Sequence, residues 1–494
     1  MSLSRIPYKY LVAIVFIFGL FMDLMDTTIV NAAIPSLRRD FNASTSLVEW
    51  TVTGYLLSLA VVIPAAGWLS DRFGTKRIFI TAMGIFVVAS AACGLAQTIE
   101  QLIAFRFLQG IGGGMMTPVG TAMLSRAFPG TERAQASAIL SVPVVLAPTI
   151  GPVLGGYLID DVSWRCIFYV NLPVGLAGIA MAITVLKEHK EAYAQRGFDV
   201  PGLVTGSGAA AMILYAVSRA GADGWSSLEV VGFGLGGLAL AVAFTAIELT
   251  VKYPILDLRL FKRPLFANGN LMMMSAFAAF GGFGLLLTLF LQDLREYTPL
   301  QAGLLLAPSS LGTAVSLPLA SKLYPRIGPR RMMLGGFGFA ALTMLPFYFV
   351  GLDTPVWVMM VLLVVRGLPF AFAAVASQTL LFGPIESEKQ GPASSIYSTL
   401  RQASSSFGVA LIITIALSRT RAHEAATIAN QHLTGPIPAD LQRHAAVSGS
   451  HDAYLAVVAL MAIPFFLAFF INDKNAAASL RQRMQQPQVE TVAS

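Results

Sequence analysis

Fourteen stretches of this chain are apolar over about the length a bilayer requires, and charged residues or Gly and Pro separate each from the next. They fall near 10–31, 47–69, 78–97, 101–125, 134–159, 166–186, 200–219, 228–250, 266–292, 299–322, 332–351, 355–383, 392–418 and 452–472. Crossing a hydrocarbon core of about 30 Å takes about 20 mainly apolar residues of helix. Lipid offers no partner to a bare N–H or C=O, so runs of this length have one economical solution, the α-helix. The fold class expected is an all-α polytopic membrane protein with about fourteen transmembrane helices. Only 12% of the 494 residues are charged and 55% are hydrophobic, whereas a soluble protein has about 25% charged residues. Mean hydropathy is +0.69.

The net charge of +7 invites a nucleic-acid reading. That would need basic residues clustered on a soluble surface, and here they sit in short loops between apolar runs. No nucleic-acid partner is expected; the partner is the lipid bilayer. Orientation accounts for the basic residues. On the N-terminal side the loops and tails hold about 22 of the 33 Lys and Arg, and the other side about eight. Both termini are therefore expected in the cytoplasm, with the chain in the inner, cytoplasmic membrane. The segment 419–451 then lies outside, and Gly435, Pro436 and Pro438 suggest irregular or short amphipathic structure there. The first run continues through Asp23 and Asp26 without an Ala-x-Ala site, unlike a cleaved signal peptide. Cys93 and Cys166 lie in or beside apolar runs and read as buried thiols, with no metal site expected.

An internal repeat organises the runs. Arg72-Phe73-Gly74-Thr75-Lys76-Arg77 returns as Arg326-Ile327-Gly328-Pro329-Arg330-Arg331, 254 residues later, and a fainter echo links Arg106 to Arg366. Parallel repeats of this kind build two six-helix bundles around a central cavity. The expected division is an N-terminal bundle over 1–196, two extra helices with their linkers over 197–253, a C-terminal bundle over 254–474 that includes the 419–451 loop, and a cytoplasmic polar tail over 475–494.

Charged residues inside apolar runs mark where chemistry is expected. A charge at the bilayer centre costs about 2.5–3.5 kcal/mol on insertion scales, so such a residue lines a polar cavity or has a partner. Three arginines, Arg106, Arg366 and Arg401, lie in or at the edges of runs. On the first run Asp23, Asp26, Thr27 and Asn31 share an arc of roughly 140°. This polar stripe is expected to face the cavity. Burial and a like charge one turn away both favour a carboxylate's protonated form, so Asp26 is a candidate proton carrier and Asp23 its helper or a substrate counter-ion. The alternative for each is a plain hydrogen bond to a neighbouring helix. On the fourth run Arg106, Gln109, Gly110, Gly113, Thr117 and Thr121 share one face. Buried arginine stays charged, so Arg106 can hold a carboxylate ionised or respond to its protonation; the alternative is a structural arginine bonded to backbone carbonyls. Asn31, Gln109, Thr117 and Arg401 complete the expected substrate cavity with Asp23. The Met residues of 271–274 and the Phe residues of the ninth and twelfth runs suit either an adaptable binding wall or ordinary packing.

The motifs together resemble the major facilitator superfamily, in its fourteen-span drug:proton antiporter branch. Gly67, Leu69, Asp71, Arg72, Gly74 and Arg77 match its cytoplasmic loop motif. Leu24 to Pro35 resembles the first-helix motif of that branch, and Trp164 to Gly175 its sixth-helix entry, with Cys166 where an aromatic is usual. Phe198-Asp199-Val200-Pro201-Gly202 and Leu256-Asp257-Leu258-Arg259-Leu260-Phe261 are similar to the stretches flanking its extra helices. Gly151-Pro152-x-x-Gly155-Gly156, preceded by Pro148, resembles the motif of the antiporters, with Ala147 in place of a glycine. The resemblance implies a proton-coupling role for Arg106 and a conformational latch at Gly67, Asp71, Arg72, Gly74 and Arg77. In the second copy Pro325 replaces Asp71 and Ser321 replaces Gly67, so the latch is expected mainly in the N-terminal half.

The function expected is efflux of amphipathic, cationic compounds in exchange for protons. No cofactor beyond the proton gradient is implied, and no Gly-x-x-x-x-Gly-Lys-Ser/Thr motif points to ATP. His189, His423, His432, His444 and His451 are expected in loops and suggest no enzyme site. Two other readings stay open: export of an anionic metabolite, lipid or siderophore on the same fold, and a non-transporting sensor or scaffold. A periplasmic adaptor and outer-membrane channel are neither implied nor excluded.

Overall fold

The computed structural model describes residues 7–128, 133–189, 197–382, 385, 390–431 and 437–471, and all the regular structure among them is helical. The principal helices are α1 (Tyr8–Asp40), α2 (Trp50–Phe73), α3 (Thr75–Leu95), α4 (Ile99–Ala127), α5 (Arg133–Asp161), α6 (Asn171–Val185), α7 (Val200–Asp223) and α8 (Leu228–Thr250). They continue as α9 (Pro264–Leu289), α10 (Pro299–Leu306), α11 (Pro308–Ile327), α12 (Pro329–Met344), α13 (Val356–Phe382), α14 (Gln390–Gln431) and α15 (Ala439–Ala468). Among the described residues, twelve helical stretches are long and apolar enough to cross a membrane. The other two expected positions hold α4 and α5, 29 residues each. In α4, Arg106, Gln109 and the Gly112–Gly114 run dilute the hydropathy, because this helix carries polar groups that face protein.

Local chemistry sets the helix ends. Thr98, Asp199 and Ser227 cap α4, α7 and α8 by accepting the N–H of Gln101, Gly202 and Val230. The repeated turn is built the same way twice. Gly74 (φ 102°) ends α2 and Gly328 (φ 82°) ends α11, each donating to the carbonyl four residues back, and a new helix starts at the next residue. A side chain is strained at such φ values, which explains why glycine recurs in both copies.

Helices α1 to α6 pack on one another, as do α9 to α15, while α7 and α8 pair together and α7 leans on α14. The two groups meet where α2 crosses α14 and where α5 crosses α10. At the second crossing the backbones touch. A Cβ on Gly156 would collide with the backbone of Pro299 and Leu300, and one on Gly303 with the Pro152 carbonyl. Polar contacts reinforce this face, which lies opposite the N-terminus: Arg38 on α1 forms two hydrogen bonds of 2.9 and 2.8 Å to Asp293, Gln292 donates to the Ala32 carbonyl at 3.0 Å, and the Leu300 N–H to Asp160 at 2.8 Å. These contacts join the two groups on that far face.

Several expectations are corrected. The 419–451 segment is not irregular where it is described: α14 runs on to Gln431 and α15 starts at Ala439, so two long helices project beyond the apolar runs. Arg419 and His423 both bind Asp452 across this hairpin, at 2.6 and 3.0 Å, which holds the extensions together. His423, His444 and His451 accordingly stand on helices, and His432, Gly435, Pro436 and the 475–494 tail lie outside the described residues. Cys93 is fully buried but Cys166 is only partly so. Met272 and Met273 are core residues against α9's neighbours, which settles that pair as packing.

Candidate functional site

The polar stripe of α1 does not face a single space. Asp26 points into the N-terminal group of helices and is wholly buried, whereas Asp23, one turn earlier, borders a cavity. Around Asp26, α4 contributes Arg106, whose Nη1 donates to Oδ2 at 2.5 Å, and Gln109, whose Nε2 donates to Oδ1 at 2.9 Å. Asn171, at the start of α6, donates to the same Oδ1 at 3.3 Å. Arg106 also donates to Gln109 Oε1 (2.7 Å) and, through Nε, to the Thr51 carbonyl (2.8 Å). Its guanidinium lies 4.1 Å from the centre of the Tyr55 ring. Ser90 on α3 completes the set, accepting from Gln109 and Asn171 and donating to the Phe168 carbonyl. Five helical segments thus converge on one ion pair.

Such a pair survives in an apolar surrounding because nearly every polar atom has a partner. Gly110 makes room for it: a Cβ there would strike Ser58 and the Tyr55 carbonyl, so α4 lies close against α2. The spacing that puts Arg106 and Gln109 on one face of α4 thereby aims both at Asp26.

Asp23 has different company. Tyr55 Oη donates to Oδ1 at 2.7 Å and Thr117 Oγ1 to Oδ2 at 3.4 Å. The cavity beside it is bounded by Leu59, Gly113 and Thr117 from one group of helices and by Ser398, Arg401 and Gln402 of α14 from the other. Arg401 and Asp23 face each other electrostatically across this seam. Tyr55 joins the two environments, with its hydroxyl on Asp23 and its ring against Arg106.

Of the expected cavity residues, Asp23, Thr117 and Arg401 border the space. Gln109 does not: its amide belongs to the buried network around Asp26. Asn31 lies two turns farther along α1, outside the cavity lining, and its side-chain oxygen is buried without a partner. Gly151 and Gly155 seat α5 against Thr28 and Ile29 of α1, and Gly156 seats it against Leu300; the Pro148 side chain lies outside the described residues. At the 67–77 turn, the Asp71 side chain is likewise outside them. Gly67 has open space around it, and Arg72 lies over the Trp68 ring at 5.4 Å. The turn is gripped by Glu188, just beyond α6, which accepts the Lys76 N–H at 3.1 Å and lies 3.6 Å from Arg77. An acid against the first turn of α3 is also favoured by the helix dipole.

Sequence reasoning missed Tyr55, Ser90 and Glu188 as members of these sites, and Asn171 as a ligand of Asp26. One signal was available: Thr51, Tyr55 and Ser58 recur at helical spacing on an apolar run, a polar stripe like that of α1.

A family model described as the Major Facilitator Superfamily matches residues 16–409. The chain belongs to that superfamily. It is therefore a multi-pass membrane protein of a family of transporters. A multidrug resistance protein B homolog of Mycobacterium tuberculosis is 39% identical over 318 residues, 64% of this chain and 58% of that protein, so the match spans little more than half of the relative's length. The multidrug resistance protein MdtD of Salmonella dublin, named as a provisional assignment, is 32% identical over 80% of this chain and 83% of its own. The tetracenomycin C resistance and export protein of Streptomyces glaucescens is 31% identical over 84% and 76%. Among solved structures, a bacterial homolog of the human lysosomal transporter Spinster superposes with a TM-score of 0.63 at 18% identity, covering 96% of this chain and 98% of that one. At that identity the likeness bears on the fold alone.

Proposed function

We propose that this superfamily member is a proton-coupled exporter of amphipathic compounds, cationic ones foremost, with fourteen spans, both termini cytoplasmic and alternating access to a central cavity. The observation that carries this reading is the Asp26–Arg106 pair, sealed from solvent yet linked through Tyr55 to the cavity-lining Asp23. Three relatives named for drug resistance or export support the substrate class.

The chemistry runs through the partners of Asp26. A proton arriving on Asp26 neutralises the carboxylate and weakens its bond to Arg106, which keeps its charge. Arg106 then relies on the Thr51 carbonyl, Gln109 and the Tyr55 ring, so the balance between α1, α2 and α4 changes. Because Tyr55 also holds Asp23, that change reaches the cavity, where a substrate cation competes for the Asp23 carboxylate. Proton and substrate act on one equilibrium through their different affinities for its two states. In this reading the contacts on the far face belong to one of those states. Release of the proton toward the cytoplasm, after substrate has entered, restores the ion pair.

Asp26→Asn tests the reading. The variant is expected to fold and insert, because its neutral side chain matches the protonated Asp26 that the cycle visits and its amide oxygen can still accept from Gln109 and Asn171, but to lose gradient-driven dye export by at least about tenfold in proteoliposomes. Export at the wild-type rate would overturn Asp26 as the proton site. A second reading rests on Arg401 at the opposite wall of the cavity, which suits an anionic substrate. Competition of dye efflux by cations and by anions separates the two.

A further inference from the structure

Two carboxylates outside this site share an enclosure at the end of the chain's extra helices. Asp199 caps α7, its Oδ1 accepting the Gly202 N–H at 2.8 Å. Glu248, in the last turn of α8, accepts the Leu256 N–H on Oε2 at 3.0 Å, which ties back the elbow leading to α9. Their remaining oxygens, Asp199 Oδ2 and Glu248 Oε1, are buried with no hydrogen-bond partner. Both converge on Gly202: a Cβ there would lie 2.5 Å from one and 2.6 Å from the other. The two oxygens are therefore at most about 5 Å apart. Asp199 is 5% exposed and Glu248 not at all.

Like charges this close, out of water, cannot both stay ionised without help. Among the described residues, no cation bonds either free oxygen. Asp257 adds a further negative charge, Arg259 directs its Nη2 to the carbonyls of Leu249 and Val251, and Lys252 lies over the Tyr253 ring. We propose that Glu248 carries a proton and offers it to the free oxygen of Asp199, making the α8–α9 elbow a protonation site separate from Asp26. The proton turns one carboxylate into a donor and gives both orphaned oxygens a partner. When it leaves, the two acids repel, and the strain falls on the elbow that Glu248 fastens through Leu256. The inference stands on this geometry and does not depend on the transport reading.

Purified full-length protein supplies the test, through its melting temperature between about pH 5 and about pH 8. The folded pair binds a proton that the unfolded chain gives up, so stability falls as pH rises. In Glu248→Gln the amide donates to Asp199 in place of the proton, and this part of the pH dependence disappears. Wild type is expected to lose roughly 2 °C or more relative to the variant across that range. Asp199→Asn, which keeps the cap on Gly202, is expected to behave the same way and serves if the first variant does not fold. Parallel curves for wild type and both variants would overturn the proposal. So would a rise in the wild-type melting temperature on adding Ca²⁺ or Mg²⁺ that Glu248→Gln lacks, since the oxygens would then hold a metal ion.

Discussion

Arg106 and Arg366 stand at related places in the two halves, and their surroundings could hardly differ more. In each half a glycine brings the arginine's helix against a neighbour: Gly110 meets the Tyr55 carbonyl, and Gly367 meets that of Ser309. Arg106 is then neutralised by Asp26 and held by three hydrogen bonds, to Asp26, Gln109 and Thr51. Arg366 has no carboxylate within ion-pair reach among the described residues. It lies 4.4 and 3.9 Å from the ring centres of Phe280 and Phe283, donates to Ser309 at 3.2 Å, and leaves its Nε without an acceptor. The acid nearest in role, Asp293 on the elongated end of α9, serves the interface instead, paired with Arg38 of the other half. Each helix sets an arginine near a close-packed glycine, four residues on for Arg106 and at the next residue for Arg366, and among the described residues only Arg106 has a carboxylate partner. That is the arrangement to expect if one half carries the proton and the other supplies a counter-surface.

Substitution of the two arginines is the strongest way to break this comparison. Arg106→Ala leaves Asp26 buried without its charge partner and is expected to cost about 3–5 kcal/mol, read as loss of monodisperse protein in size-exclusion chromatography. Arg366→Met strands no anion and exchanges cation–π contact for apolar packing, so its stability should stay within about 1 kcal/mol of wild type. Equal losses would mean the halves are alike after all. A smaller effect is expected at the interface. Asp293→Asn weakens a bidentate but partly exposed pair by about 1 kcal/mol, enough to raise labelling of a cysteine placed on the far face about fivefold. No change in labelling would remove Arg38–Asp293 from the closure. Tyr55→Phe, also about 1 kcal/mol, keeps the ring over Arg106 and deletes the hydroxyl on Asp23. The expected outcome is a folded protein whose drug affinity responds less to pH than that of wild type. An unchanged response would place the coupling route elsewhere.

Helix positions were legible because hydropathy is a property of a run, and every expected run coincides with a helix or a broken one. The turn glycines were legible for a similar reason, since Gly74 and Gly328 answer to φ values that no neighbour can alter. The hairpin was not. Gly435, Pro436 and Pro438 suggested irregular or short amphipathic structure in 419–451, yet the long helices on either side continue into it, held in part by Asp452 with Arg419 and His423. Asp452 is 29 residues from His423, beyond the reach of a local reading.

The sequence by itself determined that the chain crosses a membrane repeatedly, that one basic turn recurs 254 residues on, and which few polar residues must be sheltered there, because desolvation acts on each residue wherever its helix goes. Tertiary structure alone decided what those residues shelter against. Asp23 and Asp26 belong to one stripe of a helical wheel, and the close seating of α4 and α2, through Gly110, sets one against Arg106 and leaves the other at the seam with α14. Partner choice depends on how helices are packed sideways, and that information is spread over every contact between them.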